Sequence, residues 1–156
     1  MSDVLAKVSE LIHPDCISLD IQSKKKAEII RELVEILQRA GVIKDADAVT
    51  EAVLEREQLT TTGIGGGIAI PHCMSPDAEM TVMAFGRRKA GAKFDSVDRK
   101  PVQLFFLMVG PPGSHSEHLR LLSKLARLLH DSELKRGLLD AESDQDVVRL
   151  FRERES

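Results

Sequence analysis

The sequence predicts one α/β domain, a mixed (parallel and antiparallel) β-sheet flanked by α-helices. Three observations carry this expectation. Segments with apolar residues at helical spacing alternate along the chain with short apolar runs of strand length. The length, 156 residues, suits one core and makes two independent cores a stretch. Hydrophobic residues make up 42% of the chain and charged residues 30%, a balance that supports a core without staples. With no Trp, no Tyr and five Phe, that core must be mostly aliphatic.

The elements follow in order. Residues 2–12 carry Val4, Leu5, Val8, Leu11 and Ile12 at the spacing of a short amphipathic helix, which Pro14 ends. Cys16–Ile21 is expected as a strand. Ser23 is the expected N-cap of a helix with Ala27, Ile30, Leu33, Val34 and Leu37 inward and Gly41 as its stop. Asp45 or Asp47 opens a second helix, running to about Glu57 or Gln58, with Val49, Ala52 and Val53 on one face. Thr60–Gly67 places four glycines in five positions and reads as a loop. Ile68–Ile70 reads as a short strand stopped by Pro71, and Ser75-Pro76-Asp77 as a turn. Met80–Arg87 is expected as a strand and Leu104–Val109 as a fully buried one.

Gly110-Pro111-Pro112-Gly113 then breaks the chain. A capping box of Ser114 and Glu117 opens the third long helix, with Leu122, Leu125, Ala126 and Leu129 inward. Asp131 or Ser132 caps a short helix ending near Gly137. Ser143 caps the last helix, with Val147, Leu150 and Phe151 inward.

Charge and composition exclude several functions. The net charge of −3 and the scarcity of aromatics argue against nucleic-acid binding. The basic runs Lys24–Lys26 and Arg87–Lys89 read as solvated surface. Cys16 and Cys73 make no disulfide framework. Asp3, Lys7 and Glu10 interrupt any leader-like apolar stretch, and the longest apolar run is too short to span a bilayer. The expectation is a cytoplasmic protein that is not membrane-embedded.

The Gly-rich stretch lacks the Lys-Ser/Thr and the following helix of a nucleotide loop, so its glycines read instead as backbone passing close to something. His72 ends a short apolar strand on a stem made rigid by Pro71. His118 lies in the first turn of the capped helix, with Leu122 and Leu125 four and seven residues on, so it faces inward near free N–H groups. Arg56 lies near the end of the second helix, on the side of Val49 and Val53. Each residue alone also fits an ordinary structural or surface role. Together they suit a transferable phosphoryl group: a neutral imidazole is a nucleophile near neutral pH, and fixed positive groups replace a metal. A metal reading of His115, His118, Cys73 and His72 lacks the spacings of known sites, and Cys73 lacks a base in place. No cofactor and no metal are expected.

Glu57-x6-Ile64-Gly65-x2-Ile68-Ala69-Ile70-Pro71-His72-Cys73 resembles the signature of the fructose/mannitol-type EIIA (type 2) domains of the bacterial phosphotransferase system. The likeness covers about residues 10–153, and Arg56 and His118 stand where the family carries an Arg and a second His. The resemblance implies an EIIA type 2 fold with His72 as phosphoryl acceptor from a phosphohistidine on an HPr/NPr-type carrier. It implies His118 as a hydrogen-bonding support of the phosphate and Arg56 as a stabiliser of the phosphorylated state. The layout is most similar to the nitrogen-regulatory branch (PtsN), which implies a downstream target such as a sensor kinase or potassium transporter. A sugar-specific EIIA serving an EIIB, or a phosphate-independent binding module, are the alternatives. Cys73-Met74 departs from the usual Gly after the active His, which implies a different partner-facing rim.

Overall fold

The computed structural model describes residues 7–155. Residues 2–6 of the expected first helix lie outside them. A hairpin of β5 (Val82–Ala92) and β6 (Val102–Gly110) forms the centre of the sheet and is antiparallel. Outside β5 lies β1 (Ile17–Ser18), parallel to it. Along the other side of β6 run β3 (Ile68–Ala69) and β4 (His72–Met74), both parallel to it, and β2 (Gly63–Gly65) pairs antiparallel with β3. The sheet is therefore mixed, as its helix-flanked sequence pattern predicts.

The period of two along β6 sorts the core into two layers. Phe105, Leu107 and Val109 pack with Ile30 and Leu33 of α2 (Lys26–Arg39) and with Val49 and Val53 of α3 (Ala46–Leu59). Leu104, Phe106 and Met108 face Leu121 and Leu125 of α4 (His115–Leu129), Leu134 of α5 (Ser132–Asp140) and Phe151 of α6 (Asp144–Glu155). The short α1 (Val8–Leu11) joins the second layer through Val8. Helices cover both faces, so Leu104–Val109 of β6 is an unbroken apolar run rather than an alternating one. Among the described residues no helix is long and apolar enough to cross a membrane.

Several local expectations are corrected by tertiary partners. Cys16 lies in a single 3₁₀ turn with Pro14 at its start, and β1 keeps only two paired residues. Ser23 does not cap α2; its hydroxyl donates to Glu32 Oε1 at 2.7 Å, and the helix starts at Lys26. Gly41 does end it, at φ +80°. Asp45 caps α3 by accepting from Ala48 N at 3.1 Å. The Ser114–Glu117 capping box is absent. The Ser114 hydroxyl donates to Pro111 O at 2.6 Å, and Glu117 accepts from the Thr81 hydroxyl. On α4 the buried residues are His118, Leu121, Leu125 and Leu129, while Leu122 is half-buried and Ala126 exposed. Asp131 caps α5, which passes through Gly137, where Leu150 of α6 packs 3.0 Å from the position a Cβ would take. Ser143 caps α6 and Leu150 is half-buried. Arg87 is buried, not solvated: its guanidinium donates to Leu19 O, Leu138 O and Ala141 O at 3.1, 2.9 and 2.7 Å.

Candidate functional site

The site is built on one edge of the sheet. Along β6, Ile68 stands opposite Leu104 and His72 opposite Met108, so β3 and β4 form a single line in one register, interrupted at Ile70-Pro71. Proline is tolerated on this edge, and its carbonyl still accepts from Met108 N at 3.0 Å. Alternation continues across the interruption. Ala69 and Cys73 enter the α2–α3 layer, Ile68 and Ile70 the layer under α4, and His72 shares the α4 face. The three-residue strand that carries His72 was not anticipated, because it begins immediately after a proline.

The Gly-rich stretch, expected as a loop, is a β2–β3 hairpin. Gly65, Gly66 and Gly67 take φ of +94°, +67° and +81°, a turn that only consecutive glycines make without strain. Its tip is held by Gly66 N donating to Asp98 Oδ2 at 3.0 Å and by Lys135 Nζ donating to Gly66 O at 3.3 Å.

The half-buried His72 ring places Nδ1 2.8 Å from Ile70 O. A carbonyl oxygen only accepts, so Nδ1 carries the hydrogen and Nε2 keeps a free lone pair. Burial pushes the imidazole pKa below its ordinary value. The bond to Ile70 opposes this, the Arg56 charge adds to it, and the Glu57 charge opposes it. The net direction favours the neutral ring.

His118 stands over the same face. A methyl group at Gly110, the residue opposite Met74, would lie 2.1 Å from His118 Nε2 and 2.8 Å from Ser114 Oγ. The absent side chain at Gly110 is therefore the space that His118 occupies. His118 is 3% exposed, and neither ring nitrogen has a hydrogen-bond partner among the described residues. Buried polar groups are rarely left so, and a ring at the start of a long helix lies beside free N–H groups that favour an anion. Burial lowers its pKa too, with the His72 charge acting in the same direction.

Arg56, in the last turn of α3, is half-buried and makes no hydrogen bond or ion pair among the described residues. Its charge reaches His72. The structure places His118 and Arg56 within electrostatic reach of His72. It leaves His115 exposed, and among the described residues no three His, Cys, Asp or Glu are grouped to hold a metal ion. Cys73 points into the opposite layer, and burial pushes its thiol pKa up to about 12, so it is no nucleophile. Two contributors escaped the sequence reading. Glu57 was visible only as the first position of a spacing, yet it is buried and bonded to Lys26 and Thr62. Gly110 was read as a chain break; its place at the end of a buried strand, eight residues before an inward His, was the available signal.

The arrangement offers an unprotonated ring nitrogen, an unpaired buried imidazole, an arginine and a helix start, which is the equipment for handling an anion. Residues 10–154 match the family model "Phosphoenolpyruvate-dependent sugar phosphotransferase system, EIIA 2". The chain is 39% identical over 145 residues to the "PTS system fructose-specific EIIABC component" of Bacillus subtilis, covering 93% of this chain and 23% of that longer protein. It is 35% identical to the "Nitrogen regulatory protein" of Bradyrhizobium diazoefficiens, covering 92% of this chain and 94% of the relative. The crystal structure of nitrogen regulatory protein IIA-Ntr from Neisseria meningitidis superimposes with a TM-score of 0.86 at 30% identity, over 92% of this chain and 98% of that one. The same topology, matched over nearly the whole length of relatives of this size, carries the Glu57–Cys73 signature on the edge that holds His72, and by these marks the chain belongs to the EIIA type 2 family of the phosphoenolpyruvate-dependent sugar phosphotransferase system.

Proposed function

We propose that this chain, as one EIIA type 2 domain, is a cytoplasmic phosphocarrier of the nitrogen-regulatory branch. In this reading it accepts a phosphoryl group on His72 Nε2 from a phosphohistidine of an HPr/NPr-type carrier. The observation that carries the proposal is the Nδ1–H bond to Ile70 O, which leaves Nε2 unprotonated. The Nε2 lone pair attacks phosphorus in line. The new N–P bond forms as the donor's N–P bond breaks, and the donor imidazole leaves with the bonding pair. The proton stays on His72 Nδ1, donated to Ile70 O, throughout. His118 then turns its N–H toward the phosphoryl oxygens, which resolves its unpaired burial, and the Arg56 guanidinium offsets their charge.

The nitrogen-regulatory assignment is supported by relatives of that name that the chain matches over 94% and 98% of their length. Its target, a sensor kinase or potassium transporter by this reading, would bind the phosphorylated and unphosphorylated states with different affinity. The fructose-specific relative supports a second reading, in which His72 passes its phosphate to an EIIB.

The test is intact-protein mass spectrometry after incubation with phosphoenolpyruvate, enzyme I and an HPr-type carrier. Wild type should gain one acid-labile phosphate and His72→Ala none, with His118→Ala slowed. An unmodified wild type beside an active donor would overturn the acceptor reading. Onward transfer to an added EIIB would select the sugar-specific one.

A further inference from the structure

One buried charge lies beside the acceptor without taking part in the transfer just described. The Glu57 side chain is 4% exposed. Lys26 Nζ, from α2, lies 2.9 Å from its Oε2; Thr62 N donates to the same oxygen at 2.8 Å, and the Thr62 hydroxyl donates to Oε1 at 2.5 Å. Three donors on one buried carboxylate bind the start of α2, the end of α3 and the chain entering β2. The bonding does not stop at Thr62. Thr62 O accepts from Ile70 N at 2.9 Å, and Ile70 O accepts from His72 Nδ1–H at 2.8 Å. The carbonyl that sets the His72 ring is therefore held by a residue that is itself held by Glu57. Glu57 also opposes Arg56 electrostatically at His72.

We propose that Glu57, acting through Thr62 and Ile70, is a positioning residue that keeps His72 in the Nδ1–H tautomer with Nε2 free for the phosphoryl group; this rests on the reading of His72 as acceptor. A purely structural Glu57 would change stability and leave the ring alone. A positioning Glu57 changes the ring itself.

Long-range ¹H–¹⁵N NMR of the full chain reads the His72 tautomer and titration without any phosphate. Wild type should show the Nδ1–H form. Glu57→Gln and Thr62→Val should show mixed tautomers, and in Glu57→Gln the ring should titrate at lower pH than wild type, because a charge that favours its protonation is gone. Transfer at saturating donor should fall on the order of tenfold in Glu57→Gln, with donor KM unchanged. Thr62→Ser, which restores the hydroxyl, should behave as wild type. If Glu57→Gln does not fold, Thr62→Val carries the test. A folded Thr62→Val with wild-type tautomer and transfer rate would overturn the proposal, as would an effect confined to KM. If variants shift the tautomer while wild type accepts no phosphate, the acceptor reading fails and the positioning of the ring stands. If wild type is phosphorylated and the variant tautomers are unmoved, the positioning fails alone.

Discussion

Replacing Gly110 with Ala tests the geometry of the site more sharply than removing a functional group does. A methyl at that position meets His118 Nε2 at 2.1 Å and Ser114 Oγ at 2.8 Å. To regain ordinary van der Waals contact the imidazole must retreat from 2.1 Å to at least 3.4 Å, a movement of about 1.3 Å. His118 is buried at the start of α4, on the same helix as the buried Leu121 and Leu125, so a movement of that size disturbs the packing of the helix start. Overpacking of this kind costs roughly 1–3 kcal/mol. For a chain of this size that lowers Tm by roughly 2–12 °C. Displacement of a group that contacts the transferring phosphate by about 1 Å costs on the order of 100-fold in rate. The assay pairs single-turnover phosphorylation by an HPr-type donor with thermal unfolding, for Gly110→Ala, His118→Ala and the double variant. In the His118→Ala background the 2.1 Å contact is gone and only that with Ser114 Oγ at 2.8 Å remains, so the Gly110→Ala stability penalty should shrink; the difference is the coupling between the two positions. A Gly110→Ala protein with wild-type Tm and wild-type transfer would refute the close packing of His118 on Gly110. Equal penalties in both backgrounds would show that the methyl strains something other than His118.

Four further outcomes are expected. Because burial depresses both His72 and His118, transfer should hold its rate as pH falls through the ordinary histidine range near 6.5 and decline only through their lower folded values. The same shifts make the unfolded chain bind more protons in that window, so stability should be full above pH 6.5 and fall as pH drops toward the folded values; urea titrations of wild type and His118→Ala should differ in that slope. Arg56→Ala should raise the His72 pKa measured by NMR, since the Arg56 charge lowers it, and should shorten the lifetime of the phosphorylated protein; an unmoved pKa would dissociate Arg56 from the site. Arg87→Leu leaves the carbonyls of Leu19, Leu138 and Ala141 without their buried donor and should cost about 2–4 kcal/mol in urea unfolding, with the transfer rate of the folded fraction kept. A loss below about 1 kcal/mol would mean that water replaces the guanidinium.

The predictions differ in how far the sequence alone would have suggested them. Arg56, His72 and His118 could be singled out as candidates because a residue type, a spacing and a helix start are local properties of the chain. Arg87 was misread because a charge run looks solvated until the carbonyl ends of distant segments converge on it. The misassigned caps share that cause: Ser23, Ser114 and Glu117 had the right chemistry for capping, but Glu32, Pro111 and Thr81 were better-placed partners.

The sequence by itself determined the alternation of helices with apolar strands and the aliphatic core, and it singled out His72, His118 and Arg56 as candidates. These follow from the period of apolar side chains and from short-range spacing, which need no knowledge of the rest of the fold. Only the tertiary structure decided which ring nitrogen of His72 is free, that His118 lies buried and unpaired against Gly110, and that Glu57 reaches Thr62. Those depend on which backbone groups the sheet brings opposite one another and how closely they approach. Hydrogen-bond partnership and tight contact between residues far apart in the chain are set by the packing of the whole core and by no local pattern.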